Sequence, residues 1–243
     1  MQAQAVLPLS AVQQIRRMRG GSQSQLMRAS DGNYYITKFQ GNPQHTRVLA
    51  NEFLASRLGS SLGLPMPEVA VLYVSDWLIE NTPELRFDVA GLGTACRSGL
   101  QLGSRYVADP EKDMVFDYLP ESLMLKKTRN LQDFARVLVL DKWAGNADGR
   151  QVVFTKPATA RKYSSTFIDQ GYCFNCSESN FPDSPLRGVF ARILLISTSA
   201  DGTLLSLSLA APSRWTVQSF GRSPKGCRTN GGPATALLLI WPG

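Results

Sequence analysis

A chain of 243 residues, 43% hydrophobic and 19% charged, is long enough to bury a substantial core as one large or two small domains. It holds no window of eighteen consecutive apolar residues, and its first residues, MQAQAVLPLSAVQQIRR, carry no charged segment followed by an apolar core, so neither a membrane span nor a secretory signal is expected. The net charge of +7 divides unevenly: residues 1–183 hold 20 Lys/Arg and 18 Asp/Glu while residues 184–243 hold six basic residues and one acid, which makes basicity a property of the tail and argues against a nucleic-acid role for the body.

Ala11 to Arg19 reads as a short basic amphipathic segment with Val12, Ile15 and Met18 on one side. It runs into Gly20, Gly21 and Ser22. Leu26 to Ala29, a Ser-Asp-Gly-Asn turn at Ser30 to Asn33 and the strand YYITKF then make a hairpin with a glycine-led loop at its mouth. Such a loop lets backbone amides approach phosphate oxygens with no side chain between them. A solvated loop is the plainer alternative.

Lys38 alternates with Ile36 and Tyr34 and so leaves the same face of its strand. Past a turn at Gly41 to Pro43, Thr46 is placed to cap a helix whose apolar positions Val48, Leu49, Phe53, Leu54 and Leu58 recur at helical spacing. Glu52 falls among residues that should face the core, where an unpaired carboxylate is costly. Lys38 is the expected partner, and a strand lysine held by a helix glutamate suits the binding of nucleotide phosphates. The competing reading leaves both side chains in solvent. His45 is the one histidine, which excludes a histidine triad.

Gly63, Pro65 and Pro67 end the helix, and Glu68 to Val74 reads as a strand. WLIENTPELRFDV is expected to be partly extended, AGLGTACRSG to be a loop, and Leu100 to Val107 to be another strand. Asp109 to Asn130 is a connection with at least one short helix; its Lys126, Lys127 and Arg129 read as a solvated face. Asn130 is read as the cap of a strong helix, with Asp133 favouring its N-terminus and Leu131, Phe134, Ala135, Val137, Leu138 and Trp143 as its apolar face.

That helix delivers the chain to Asn146 and Asp148 in an Asn-x-Asp turn. Asp141 within it is read as structural, bonded to nearby backbone or to a basic side chain. The apolar runs QVVF and STFID predict two strands of a hairpin, and Asp169 after them opens an Asp-x-Gly turn. Two aspartates so placed suit phosphoryl transfer, one accepting the nucleophile's proton and the other holding a metal that neutralises a triphosphate. The plain alternative is a polar turn. Cys173 and Cys176 form a CxxC pair, but zinc needs four ligands and Cys96, Cys227 and His45 are scattered, so two ordinary thiols in a reducing, cytoplasmic setting are expected.

The Asn-x-Asp turn, the strand pair and the Asp-x-Gly turn, with the upstream GGSQSQL and YYITKFQGNPQHTRVLANEFLA, resemble the HipA-like kinases over about residues 12–192. The resemblance implies a two-lobed, protein-kinase-like α+β fold, with an N-terminal lobe of sheet plus helix at 1–107 and a C-terminal lobe with catalytic loop and metal-binding hairpin at 108–192. The C-terminal lobe is expected to be truncated or aberrant, because residues 193–243 do not match and read as a divergent tail, out of frame or disordered. A β-rich tail with strands in LLSLSLA and WTVQSF is the alternative.

The resemblance further implies ATP and Mg²⁺ as cofactors and transfer of the γ-phosphoryl group to a hydroxyl, Ser or Thr of a protein. Asp148 would be the base, Asn146 would shape its turn, Asp169 would bind Mg²⁺, and Lys38, oriented by Glu52, would bind phosphate. Gly20, Gly21 and Ser22 would form the phosphate loop, and backbone around Ser104 to Tyr106 would meet the adenine. One position departs from the kinase pattern: Val153 stands where such loops place an asparagine as second metal ligand. The Gln151 carbonyl is the candidate substitute on the metal, and Arg150 the candidate to stabilise the transferring phosphate. Without them a nucleotide-binding pseudokinase follows, and a basic nucleic-acid-binding protein is the alternative that rests on the tail.

Overall fold

The computed structural model describes residues 8–89, 91–110, 113–176 and 187–188, with the backbone of two short strands at 216–218 and 238–240. Strands β1 (Leu9–Arg17), β2 (Gln25–Ala29), β3 (Tyr34–Lys38), β4 (Val69–Val74) and β7 (Gly99–Arg105) close into a barrel in the order β1-β2-β3-β7-β4. Neighbours are antiparallel except β1 and β4, which pair in parallel with Leu9 opposite Leu72. Ala11, Met27, Ala29, Tyr35, Leu72 and Val74 fill its interior together with Phe39. A Cβ on Gly103 would come within 2.3 Å of Leu72 Cδ1, so a larger residue there would have to displace the buried Leu72 side chain.

The basic amphipathic segment is strand β1. Its register slips between Ala11 and Gln13 and again between Gln14 and Arg16, which leaves Val12 and Ile15 as the extra residues of two bulges, both exposed. Their three-residue spacing thus comes from bulging.

Helix α1 (Arg47–Ser61) lies against the outer face of β3 and β7, the side from which Lys38 and Ser104 emerge. Its buried stripe is Val48, Glu52, Ala55 and Gly59, flanked by Leu49, Asn51 and Ser56, while Leu54 faces solvent. The expected face is therefore rotated, with small and polar residues turned inward where the helix meets functional backbone. Thr46 does not cap the helix: it has helical φ and ψ, and its hydroxyl donates instead to the Gln40 carbonyl at 2.8 Å. Trp77 to Glu80, at the start of the stretch expected to be partly extended, lie instead in helix α2 (Asp76–Glu80), capped by Ser75 Oγ accepting from Leu78 N at 3.2 Å. The AGLGTACRSG stretch is not all loop, since β5 (Arg86–Val89) pairs with β6 (Leu92–Ala95) as a hairpin turning at Gly91, whose φ of +79° favours glycine.

The second layer contains β8 (Val115–Phe116), α3 (Glu121–Lys127), α4 (Asp133–Trp143), β9 (Gln151–Thr155) and β10 (Ser164–Ile168), with the sheet ordered β10-β9-β8. Asn130 does not directly precede α4. Its side chain joins the helix to the sheet, donating to Asp133 Oδ2 at 3.1 Å and to the Ser165 carbonyl at 3.0 Å, and accepting from Ser165 N at 2.9 Å. Phe134, Val137 and Leu140 of α4 pack against Val152, Phe154 and Phe167, with Leu64 beyond α1 and Leu119 and Met124 completing the core. Phe134 meets Phe167 edge-on at 5.2 Å, and burying rings of this kind stabilises by about 1.5–3 kcal/mol each. A packed helix and hairpin thereby fix both ends of the turns that follow them.

Among residues 193–243, β11 (Thr216–Gln218), within WTVQSF, pairs antiparallel with β12 (Leu238–Ile240). LLSLSLA and the rest of the expected divergent tail lie outside the described residues. Among the described residues the fold is mixed α+β, and no helix is long and apolar enough to cross a membrane.

Candidate active site

Lys38 closes β3 and Glu52 sits one turn and a half into α1, and the pairing expected from their spacing forms. Lys38 Nζ lies 2.6 Å from Glu52 Oε2, with side chains 6% and 5% exposed. The same ammonium lies 2.9 Å from Asp169 Oδ1. Ser104 Oγ, on β7 beside β3, donates to the other Glu52 oxygen at 3.2 Å. Burial alone would push the Lys38 ammonium down, but the Glu52 and Asp169 carboxylates outweigh it and hold its pKa above the ordinary lysine range. Burial pushes the Glu52 carboxyl up, with Lys38 opposing and Asp169 adding to the rise. One ammonium faces two carboxylates, so the fully ionised cluster carries a net charge of −1 and favours a further cation. Buried ion pairs stabilise folds weakly once desolvation is counted, so stability alone does not account for this cluster.

The hairpin aligns the two aspartate turns. Ile168 pairs with Gln151, which places the turn holding Asp148 before β9 and the turn holding Asp169 after β10 at the same end. Asn146 Oδ1 accepts from Asp148 N at 3.1 Å, and Asp148 Oδ1 accepts from Gly149 N at 2.7 Å, leaving the Asp148 side chain exposed on a closed turn. Ala147 N donates to the Tyr172 carbonyl at 2.9 Å, joining the two turns directly. Asp169 has φ +57°, in the left-handed region that costs a non-glycine residue about 1–2 kcal/mol. Gln151 reaches it through Nε2, 3.3 Å from Asp169 Oδ2. Turning that amide over would present its oxygen at the same place. Val153 is buried in β9 opposite Thr166.

Arg150 is turned inward, its side chain 6% exposed, with its guanidinium on Asp141 and on the Gln170 side chain. Arg150 Nε donates to Asp141 Oδ2 at 2.9 Å, and Asn146 Nδ2 donates to Asp141 Oδ1 at 3.0 Å. Asp141 is fully buried and bonds a basic side chain, as its place in the helix suggested. Sequence reasoning missed Gln170, whose burial follows from the Arg150 contact and carries no signal in spacing.

Gly20, Gly21 and Ser22 lie in the turn between β1 and β2. Gly20 has φ +125°, and a Cβ on Gly21 would come within 2.9 Å of Gln44 Nε2. Gln23 fastens this loop to the β5–β6 hairpin, its amide accepting from Asp88 N and donating to Asp88 O, each at 2.7 Å. Tyr106 follows β7; its N–H donates to the Tyr34 carbonyl at 2.7 Å and its hydroxyl accepts from Arg16 at 3.4 Å. The structure therefore joins Lys38, Glu52, Ser104, Asp169 and Gln151 in one network and Asn146, Asp148 and Arg150 in a second beside it. The Gly20 to Ser22 loop is tied instead to Asp88 through Gln23, and Tyr106 to Tyr34 and Arg16, so neither is joined to these networks among the described residues.

Among the described residues no group of three or more His, Cys, Asp or Glu could hold a metal. Magnesium is commonly held through one or two carboxylates with phosphate oxygens and water completing the shell, and the Asp169 carboxylate with Gln151 beside it fits that donor set. Cys173 is a free, buried thiol pushed up to about 12 by burial; Cys176 is also free.

No curated protein matches the chain. Three solved structures are similar in part: the Helicobacter pylori proinflammatory kinase CtkA at 14% identity and a TM-score of 0.48, covering 70% of this chain and 62% of that one; the Golgi casein kinase with Mn/ADP bound at 12% and 0.42, covering 83% and 64%; and a second Golgi casein kinase structure at 14% and 0.43, covering 72% and 56%. The chain thus spans less than two thirds of each. A family model described as HipA-like kinase matches residues 11–156, more than half of the sequence, and the chain belongs to the HipA-like kinase family.

Proposed function

We propose that the chain is an ATP-dependent phosphotransferase with a two-lobed arrangement, residues 1–107 forming one lobe and 108–192 the other, and that it transfers the γ-phosphoryl group to a Ser or Thr hydroxyl of a protein. The observation that carries this reading is Lys38 touching Glu52 and Asp169 at once, at 2.6 and 2.9 Å. It supports the reading because an ammonium and two carboxylates from distant parts of the sequence meet in one place, as a phosphate-binding cation, its orienter and a metal ligand would have to.

In this mechanism Glu52, backed by Ser104, orients the Lys38 ammonium, which would bind phosphate oxygens of the nucleotide. Asp169 and the Gln151 side chain would hold Mg²⁺, which when bound would neutralise charge on the phosphates. Gly20, Gly21 and Ser22 would present backbone amides to the phosphate oxygens, and β7 and the residues after it, through Tyr106, would meet the base. Asp148 accepts the proton of the acceptor hydroxyl as its oxygen bonds to the γ-phosphorus; the bond to the bridging oxygen breaks and ADP carries away the electron pair. Asn146 and Arg150 hold the Asp148 turn in place, and rigid placement of this kind supplies much of the rate in phosphoryl transfer.

The test is transfer of labelled γ-phosphate, to the protein itself or to a protein mixture, by wild type and by Asp148→Asn. Transfer that falls about 10²- to 10⁴-fold in the variant supports the reading. Binding of ATP without transfer by either protein supports the second reading, a nucleotide-binding pseudokinase, which the apolar Val153 in place of an oxygen ligand favours.

A further inference from the structure

Segment 169–176 is held in an uncommon backbone. Asp169, Phe174, Asn175 and Cys176 all have φ between +53° and +64°, and none is glycine. Left-handed residues persist where surrounding contacts over-determine them. The turn after Asp169 has several anchors: Phe174 N donates to the Ala144 carbonyl at 2.7 Å, Gln170 is engaged by Arg150, and one anchor comes from α1.

That third anchor is Asn51. Its side-chain NH₂ donates to the Gly171 carbonyl at 3.1 Å and to the Cys176 carbonyl at 2.8 Å, and the residue is 7% exposed. Both hydrogens of one amide are thereby spent on the two ends of the turn. The helix also lies flat on it: a Cβ on Gly171 would come within 2.3 Å of Val48 Cγ1, and Ala55 packs with Ala144, Cys173 and Phe174 in one apolar cluster. Asn51 precedes Glu52, so neighbouring residues of one helix hold the metal-side turn and the phosphate-side lysine.

We propose that Asn51 is a positioning residue that couples α1 to the Asp169 turn, so that Asp169 is presented to the metal only while Glu52 holds Lys38. The inference rests on the phosphotransferase reading above. If α1 shifts, the two amide bonds and the Lys38–Glu52 contact break together, and the turn that carries the metal carboxylate loses one of its anchors when the lysine loses its partner.

The test measures the Mg²⁺ concentration giving half-maximal ATP-dependent thermal stabilisation. Asn51→Ala removes both donors, and Asn51→Asp keeps the shape while setting carboxylate oxygens against two carbonyls. Both are expected to raise the Mg²⁺ requirement about tenfold or more, the usual size of effect for a group that orients a metal ligand, with little change in ATP binding without metal. Leu54→Gly, at an exposed position of α1, is expected to lower the melting temperature and leave the Mg²⁺ requirement unchanged. An unchanged requirement in the Asn51 variants, or an equal change in Leu54→Gly, overturns the coupling. No Mg²⁺-ATP stabilisation of wild type overturns the phosphotransferase reading, and the coupling with it. Should the Asn51 variants not fold, hydrogen exchange on wild type decides. Mg²⁺-ATP, compared with ATP alone, must slow exchange in residues 47–61 together with 169–176, and protection confined to 169–176 overturns the proposal.

Discussion

At the scale of single residues, burial decides which charges matter. Asp141 is fully buried beneath Arg150, and the two share hydrogen bonds with Asn146 and Gln170. Asp141→Ala leaves the guanidinium buried without its carboxylate, and is expected to lower stability by about 3–5 kcal/mol in denaturant unfolding. Thiol chemistry gives a second prediction. Burial pushes the Cys96 and Cys173 thiols up to about 12, so each holds its proton more tightly folded than unfolded. A raised folded value means that the stabilisation is complete below the ordinary thiol range and is lost as pH rises toward about 12. The denaturation midpoint should therefore fall between about pH 9 and pH 11, less steeply in Cys173→Ala, and Cys173 should react with thiol reagents only on unfolding. The Lys38–Glu52 pairing was legible because a carboxylate among apolar helix positions demands a cation. Asn51 was not, because its partners are backbone carbonyls 120 and 125 residues away and an amide leaves no periodic trace.

At the scale of elements, the hairpin β9–β10 and helices α1 and α4 were readable from apolar spacing, although Leu54 of α1 and Trp143 of α4, both expected on the apolar faces, are exposed, whereas β1 and β6 were not readable. Two bulges give β1 a three-residue apolar rhythm, and β6 is built from Leu-Gly-Thr-Ala, whose pairing comes from the turn at Gly91 and not from strand-forming side chains. The rotated face of α1 has the same origin: Val48 and Ala55 face inward because the turn after Asp169 passes close against them. Gly171→Ala should accordingly destabilise by about 1–3 kcal/mol through overlap with Val48, and Val48→Ala in the same chain should recover part of that loss. Thermal unfolding of the two single variants and the double variant measures the coupling; additive losses would mean that helix and turn do not touch.

At the scale of the whole molecule, the barrel carries Lys38, α1 carries Glu52, and the second layer carries Asp169, so the proposed nucleotide site exists only where these three parts meet. The cluster's net charge of −1 predicts that ATP binds better with a divalent cation than without one. Thermal stability of the wild-type chain should rise with ATP and Mg²⁺ together, by mass action on the folded state, and by clearly less with ATP alone. The most direct test compares that rise in wild type and in Asp169→Ala. Loss of the Mg²⁺-dependent part in the variant is the expected result, and an equal rise in both proteins would contradict the site.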